Sequence, residues 1–416
     1  MSNEFPFTGS ELLRKPFNLL ALVLFAIACA VMIAWQGFMA GMVFLLIPVA
    51  IFILVGVFRD PRFGLYFTFA FSFIAIGISR YMAADIPFGL GIDVLLILVW
   101  VALILTQGRK LSWKKAGNGL TWVSVIWMAY TVLELANPQA VSFQAWFYAM
   151  RGVAFYQILV VVAGLLIVKD KKDLRLFLII WFGFSVFAAI KGIQQITIGP
   201  DHWENAWLDS GGALTHRIQG RLRAFSIYSD AGQFGAAMGH VALVTAIMAL
   251  GPGPGKRRLI LVGISLITIT GMLYSGTRGA LFVPVAGVLL YLFLKKNFKV
   301  FVLGMLLIAC VYAGLRYTSV GNSNYQIYRL RTAVQPTKDP SFLVRRENQQ
   351  KLKVYLADKP FGGGVGSAGN WGMRFSPNTF LAQTPTDSWY VRIWAEMGIV
   401  GLILHLAILF YILIRC

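Results

Sequence analysis

Long apolar runs separated by brief polar breaks repeat from one end of the chain to the other. Each run has the roughly 17–25 residues a helix needs to cross a bilayer core. Twelve are found, near 17–36, 38–58, 63–81, 88–107, 119–136, 147–168, 174–198, 232–250, 258–274, 280–295, 300–315 and 391–414. The pattern predicts an all-α polytopic membrane protein of about 12 transmembrane helices, with a long periplasmic loop between the last two. On this reading residues 1–198 carry helices 1–7, 199–231 form a periplasmic loop, and 232–315 carry helices 8–11. Residues 316–390 form a large periplasmic loop, where candidate reactive groups lie, and 391–416 the twelfth helix. The polar start MSNEFPFTGSELLRK reads as a cytoplasmic tail, and the first run, which lacks a small-residue cleavage site, does not read as a cleaved signal.

Composition agrees and adds direction. The chain is 58% hydrophobic and only 13% charged, with a mean hydropathy of +0.71, which excludes a soluble protein of 416 residues. Its net charge is +20. Alternate short connectors collect Arg14/Lys15, Arg59/Arg62, Arg109/Lys110/Lys114/Lys115, Lys169/Lys171/Lys172/Arg175, Lys256/Arg257/Arg258, Lys295/Lys296/Lys299 and Arg415. Short basic connectors face the cytoplasm, so both ends are expected inside and both long loops outside. About half of the 37 basic residues then lie on the outer side, an excess that topology does not explain. Anionic ligand binding explains it; a basic surface facing anionic lipid headgroups is the plainer alternative.

Cys29 and Cys310 fall in spans and Cys416 is terminal; no CxxC or histidine cluster suggests a metal, and no cofactor is expected. Ionisable residues are costly in lipid and normally face protein or water. Arg80, Asp93, Glu134, Arg151 and Lys191 all fall in the outer parts of their helices, with His240 and His405 nearer mid-span. Together they suggest a polar cavity open to the outer leaflet, although structural pairing, such as Glu134 with Arg151, accounts for any one of them. Within the second loop, SFLVRRENQQKLKVYLAD has weak helical periodicity, as in an amphipathic helix on the membrane surface. GGGVGSAGNWG, after Lys359-Pro360, reads as a flexible, turn-rich segment.

Four pieces could carry chemistry. They are Arg217, Arg221 and Arg223 in HRIQGRLRAF; Arg278 in the turn SGTRGA; Arg345 and Arg346; and Asp387 in TDSWYVRIWAEMG. Guanidinium forks match phosphate oxygens, so arginines gathered from separate loops suit a diphosphate. A nearby carboxylate suits a general base. Any one arginine can equally be an interfacial anchor.

RLRAF, SGTRGA, and the order Arg346, Pro360, GGGVG, Asp387, AEMGIVGL together resemble the O-antigen ligase and O-antigen polymerase superfamily over residues 200–414. The resemblance implies a bacterial glycosyltransferase of the inner membrane, acting on undecaprenyl-pyrophosphate-linked glycans at the periplasmic face. Asp387 stands where such proteins usually carry histidine, and Gly398 keeps the eleven-residue spacing that follows it. The implied reaction is inverting and metal-independent. Arg217, Arg221, Arg223, Arg278, Arg345 and Arg346 would hold the diphosphate, Asp387 would take the acceptor proton, and an acceptor lipid or glycan would be the partner, with no nucleic acid. Ligation to lipid A-core, polymerisation and protein glycosylation stay open. So do two other classes, a transporter of lipid-linked oligosaccharide and a non-catalytic assembly scaffold; the nearly uncharged inner halves of the spans speak against transport.

Overall fold

The computed structural model describes residues 16–36, 38–81, 88–108, 111–218, 220–318, 328, 331 and 340–415. The polar start, Arg109/Lys110, Cys416 and most of the stretch between 319 and 339 therefore lie outside the described residues. All twelve apolar runs form helix. Among the described residues nine helices are long and apolar enough to span a membrane, and three shorter apolar helices accompany them. Large apolar side chains project from these helices uncovered, among them Phe52, Leu105, Leu133 and Leu303 at 69–71% exposure. Only a hydrocarbon solvent makes so much exposed apolar surface stable, so this is an all-α multi-pass membrane protein.

Two compact units are formed. One comprises Met1–Gly64 and Ile97–Arg109. It contains α1 (Pro16–Gln36), α2 (Phe38–Arg59), the start of α3 (Pro61–Ser79) and the second half of α4 (Phe88–Gln107). Phe25 stacks on Phe44 at 5.3 Å, and Val57, Val99, Ala102 and Leu103 are fully buried.

The other unit, Leu65–Leu96 with Lys110–Cys416, carries the loops of interest. Its helices are α5 (Gly119–Leu133), α6 (Phe143–Met150), α7 (Tyr156–Ile167), α8 (Lys171–Thr197), α9 (His202–Trp207), α10 (Ala231–Leu250), α11 (Gly255–Tyr274), α12 (Phe282–Leu294) and α13 (Phe298–Tyr317). The second loop adds α14 (Pro340–Tyr355), α15 (Gly369–Phe375) and α16 (Phe380–Gln383), and α17 (Trp389–Arg415) closes the chain. Polar side chains punctuate the apolar runs by capping their first free N–H groups. Asn118 accepts from Thr121 N, Ser142 from Ala145 N, Asp230 from Gln233 N and Asn297 from Val300 N. Reciprocal caps pair Asp170 with Asp173 and Asp201 with Glu204.

Arg151–Phe155 form a π turn between α6 and α7. The wider turn leaves backbone carbonyls to be satisfied from elsewhere: Trp127 Nε1 donates to Val153 O at 2.8 Å. Arg151 pairs with Asp93, which Tyr156 also contacts, and not with Glu134. Glu134 instead accepts from Asn137 Nδ2 at 2.8 Å. The expected Glu134–Arg151 pair is thus replaced by two separate ones, because the π turn carries Arg151 toward α4.

Candidate functional site

The site has an arginine corner and a broken helix. At the corner, the loop after α9 crosses back as a two-stranded hairpin, β1 (Arg217–Ile218) with β2 (Arg221–Leu222), and docks on the turn after α11. Arg223 N donates to His216 O at 2.8 Å, and Ala224 N to Tyr274 O at 3.0 Å. The Arg223 guanidinium then grips the SGTRGA turn: Nε donates to Ser275 O at 3.1 Å, and Nη2 to Thr277 Oγ1 at 2.7 Å. Nη1 reaches Thr215 O at 3.2 Å. Thr277 in turn donates to Ala231 O at 2.9 Å, tying α10 to the same knot. Arg278, half-buried, is the next residue after this clamp.

Beneath the corner, Gln195 of α8 accepts from Phe225 N and Ser226 N at 3.1 and 2.8 Å, and donates to Glu204 Oε1 at 2.6 Å. Arg80 is buried here. It donates to Ser226 O at 2.6 Å and to Tyr228 O, and its guanidinium lies over the Trp207 and Phe225 rings at 4.5 and 4.7 Å. Lys191 bridges Asp201 at 2.8 Å and Glu204 at 3.3 Å. Burial would raise the Asp201 carboxyl, but Lys191, the Glu204 N–H and Tyr81 hold it down at about 2. Burial lowers the pKa of His216, which packs on Trp207 and Phe225. Arg80 and Lys191, expected in a cavity, are thus part of a closed structural network. Arg217 reaches Asn205 Oδ1 at 3.2 Å, with Asp209 4.0 Å away, and Arg221 is exposed on β2.

The second part is α17. Trp389 and His405 are 16 residues apart in sequence, a separation of about 24 Å in a straight helix. Their rings lie 6.5 Å apart, and Tyr390 is 6.2 Å from the same imidazole. The helix therefore breaks sharply, at Gly398 (φ 66°, ψ −168°), and its first limb folds toward the second. The twelfth apolar run was expected as one continuous helix; glycine at the break is why it is not.

A break in a membrane helix exposes backbone groups that lipid cannot satisfy. The glycine segment satisfies them. Gly363 N donates to Ala395 O at 2.9 Å, Gly364 N to Glu396 O at 2.8 Å, and Val400 N to Pro360 O at 3.2 Å. Tyr130 OH adds a bond to Met397 O at 3.0 Å. Glu396, itself buried, accepts from Arg392 Nε at 2.9 Å and Ala368 N at 3.3 Å. Residues 362–368 are all buried. The segment expected to be flexible is a packed plug. Its glycines serve close approach, since a Cβ on Gly362 (φ 75°) would collide with the backbone of 396–398.

Around the plug, Leu352 of α14 and Leu356, just past its end, pack on Ala368, Leu381 and Ala395. This helix thus rests on protein through the face expected to meet the membrane surface; Leu343 is half exposed. Arg345 and Arg346 are exposed on it. Asp387 precedes the first limb in a left-handed conformation (φ 51°), uncommon for a residue with a side chain. It is exposed, and has no hydrogen-bond or ion-pair partner among the described residues. It does not cap α17 through its side chain. The structure thus joins Arg223 to the Arg278 turn, and the glycine segment to the last helix, but links Asp387 to none of the arginines through a direct bond. His405 was read only as a mid-span residue; its place beside Trp389 and Tyr390 follows from the break, which Gly398 alone signals in the sequence.

These features define a membrane-embedded protein whose loops are organised around one arginine turn and one interrupted helix. Residues 263–406 match the family model described as O-Antigen ligase (Wzy_C). The part of the chain holding Arg278, the plug and the broken helix is therefore the part that is similar to the O-antigen ligase family. No curated protein and no solved structure matches the chain.

Proposed function

We propose that the protein transfers a glycan from undecaprenyl pyrophosphate to an acceptor hydroxyl at the periplasmic face of a bacterial inner membrane, as an O-antigen ligase does with lipid A-core. Crossing the membrane 12 times would put both ends inside and both long loops outside. The observation that carries the reading is the clamp of Arg223 on Ser275 and Thr277, which fixes the backbone presenting Arg278. A preorganised guanidinium stabilises charge on a departing diphosphate without reorganising during reaction.

In the reaction, the acceptor oxygen attacks the anomeric carbon from the face opposite the diphosphate. The carbon–oxygen bond to the diphosphate breaks, the leaving group keeps the electron pair, and Asp387 receives the acceptor proton. Arg278 and Arg221 would contact the diphosphate, helped by Arg217, Arg345 and Arg346; Arg223, engaged by protein, would position them. Polymerisation of lipid-linked repeats is the second reading, since the same groups serve an acceptor that is itself lipid-linked. The test is reconstitution of the purified protein with undecaprenyl-pyrophosphate glycan and each acceptor in EDTA. Glycan on lipid A-core supports ligation, and lengthened lipid-linked glycan supports polymerisation. Product with neither acceptor, or product only after Mg²⁺ is returned, defeats the proposal.

A further inference from the structure

We infer that the groove between the end of α10 and the start of α11 binds an anionic glycerophospholipid, its phosphate on Arg258 and one acyl chain below. The inference is independent of the glycosyl-transfer reading. The groove holds about 430 Å³. Ala246, Ala249 and Ser265 make a floor of small side chains, and Leu250, Val262 and Leu266 make apolar walls. Leu250 and Leu266 remain 70% and 62% exposed. Every lining residue belongs to α10 or α11. In a bilayer it meets hydrocarbon, and a small-residue floor admits a chain closer than a flush helix surface does.

The mouth selects the headgroup. Arg258 Nε donates to Ala249 O at 3.1 Å, so the last turn of α10 pins the guanidinium over the groove. Its two Nη groups make no other hydrogen bond among the described residues. They form the end-on fork that suits a phosphate. Lys256 and Arg257 adjoin it, and none of the three joins an ion pair among the described residues. An uncompensated basic triplet at the end of an apolar groove matches an amphiphile with a negative head. Length sets the class: Arg258 to Leu266 extends about 12 Å at 1.5 Å per residue, most of the ~15 Å depth of one leaflet. An acyl chain fits that depth, whereas an undecaprenyl chain is far longer.

The test uses the full chain in phosphatidylcholine nanodiscs containing phosphatidylglycerol, with retained lipid counted by native mass spectrometry. Other basic connectors also attract this lipid, so the signal is the single equivalent lost on mutation. We expect that equivalent to favour phosphatidylglycerol over phosphatidylcholine by about tenfold, the preference that one or two interfacial cations provide. Arg258→Gln should bring the preference near parity. Ala246→Phe should lose the lipid with every charge intact. Should Arg258→Gln fail to fold, Arg258→Lys, which cannot both cap α10 and fork a phosphate, should lose part of the preference. Unchanged selectivity in Arg258→Gln or, where that fails to fold, in Arg258→Lys overturns the inference. So does equal retention of both lipids by the native chain, or displacement of the bound lipid by undecaprenyl phosphate.

Discussion

The arginine corner and the start of the last helix are both built from polar residues in loops between apolar helices, yet they are held in opposite ways. At the corner, Arg223 spends three nitrogen atoms on protein oxygens, and Gln195, Arg80 and Thr277 tie down the surrounding backbone. Asp387 has a strained backbone, an exposed carboxylate and no bonded partner among the described residues. A charged side chain that satisfies its neighbours shapes a site; one left unsatisfied at a strained position is available to a ligand. Under the proposed reaction, that difference separates residues that would position the site from those that would react.

The largest expected effect tests the reacting side. Asp387→Asn keeps size and removes proton acceptance, which should slow transfer on the order of 10²–10⁴-fold. Because the carboxylate has no bonded partner among the described residues, stability should move by less than about 0.5 kcal/mol. Asp387→His should keep appreciable activity, since imidazole also accepts a proton and the sequence resemblance implies histidine at this position. Full activity in the Asn variant would remove Asp387 from the chemistry and leave the arginines as the only candidates.

Next in size is the support beneath it. Gly398→Ala demands a left-handed alanine whose Cβ lies inside the Pro360 carbonyl oxygen. Strain and overpacking together should cost about 3 kcal/mol or more, read as a fall in melting temperature in detergent. A variant that melts like the parent would mean the break does not depend on glycine. Arg223→Lys should cost about 1–3 kcal/mol through lost hydrogen bonds and lower activity with it. Arg278→Lys should lose most activity while the protein still folds. If the two lysine variants behave alike, the division between clamp and contact fails.

What the sequence made legible follows from which signals are local. Twelve helices were visible because an apolar run of membrane length needs no tertiary information, and the caps at Asn118, Ser142 and Asp230 sit where the runs begin. The glycine segment was misjudged for the same reason. Glycine marks chain freedom locally, but here it permits backbone to approach backbone, and that use appears only once Ala395 and Glu396 present free carbonyls. Arg223 and Arg278 could be singled out by charge and small neighbours. That one grips the turn carrying the other could not, because the grip depends on a hairpin crossing from Thr215 to Ser275. His405 looked like an isolated mid-span residue until the break at Gly398 brought Trp389 and Tyr390 to it.

The smallest effect probes the floor of the rigid corner. Asp201 receives Lys191 Nζ at 2.8 Å and Tyr81 OH at 2.7 Å, and caps α9 through Glu204 N at 2.9 Å. These partners hold its folded pKa at about 2, below the ordinary 3.8. A depressed carboxylate stabilises the fold at pH values above its unfolded pKa, and the contribution fades as pH drops from about 4 toward 2. The side chain is 32% exposed, so solvent screening reduces the gain to about 1 kcal/mol. Asp201→Asn still caps α9 but cannot pair with Lys191, so it should lose about that much at pH 7 and respond less than the parent between pH 4.5 and 3. Chemical denaturation of the detergent-solubilised protein across that interval measures both. An Asn variant with the parent's pH slope would assign acid sensitivity to other carboxylates and reduce the Lys191–Asp201 pair to an incidental contact. The corner would then rest on Gln195, Arg80, Arg223 and Thr277, and its rigidity would come from their hydrogen bonds to the backbone.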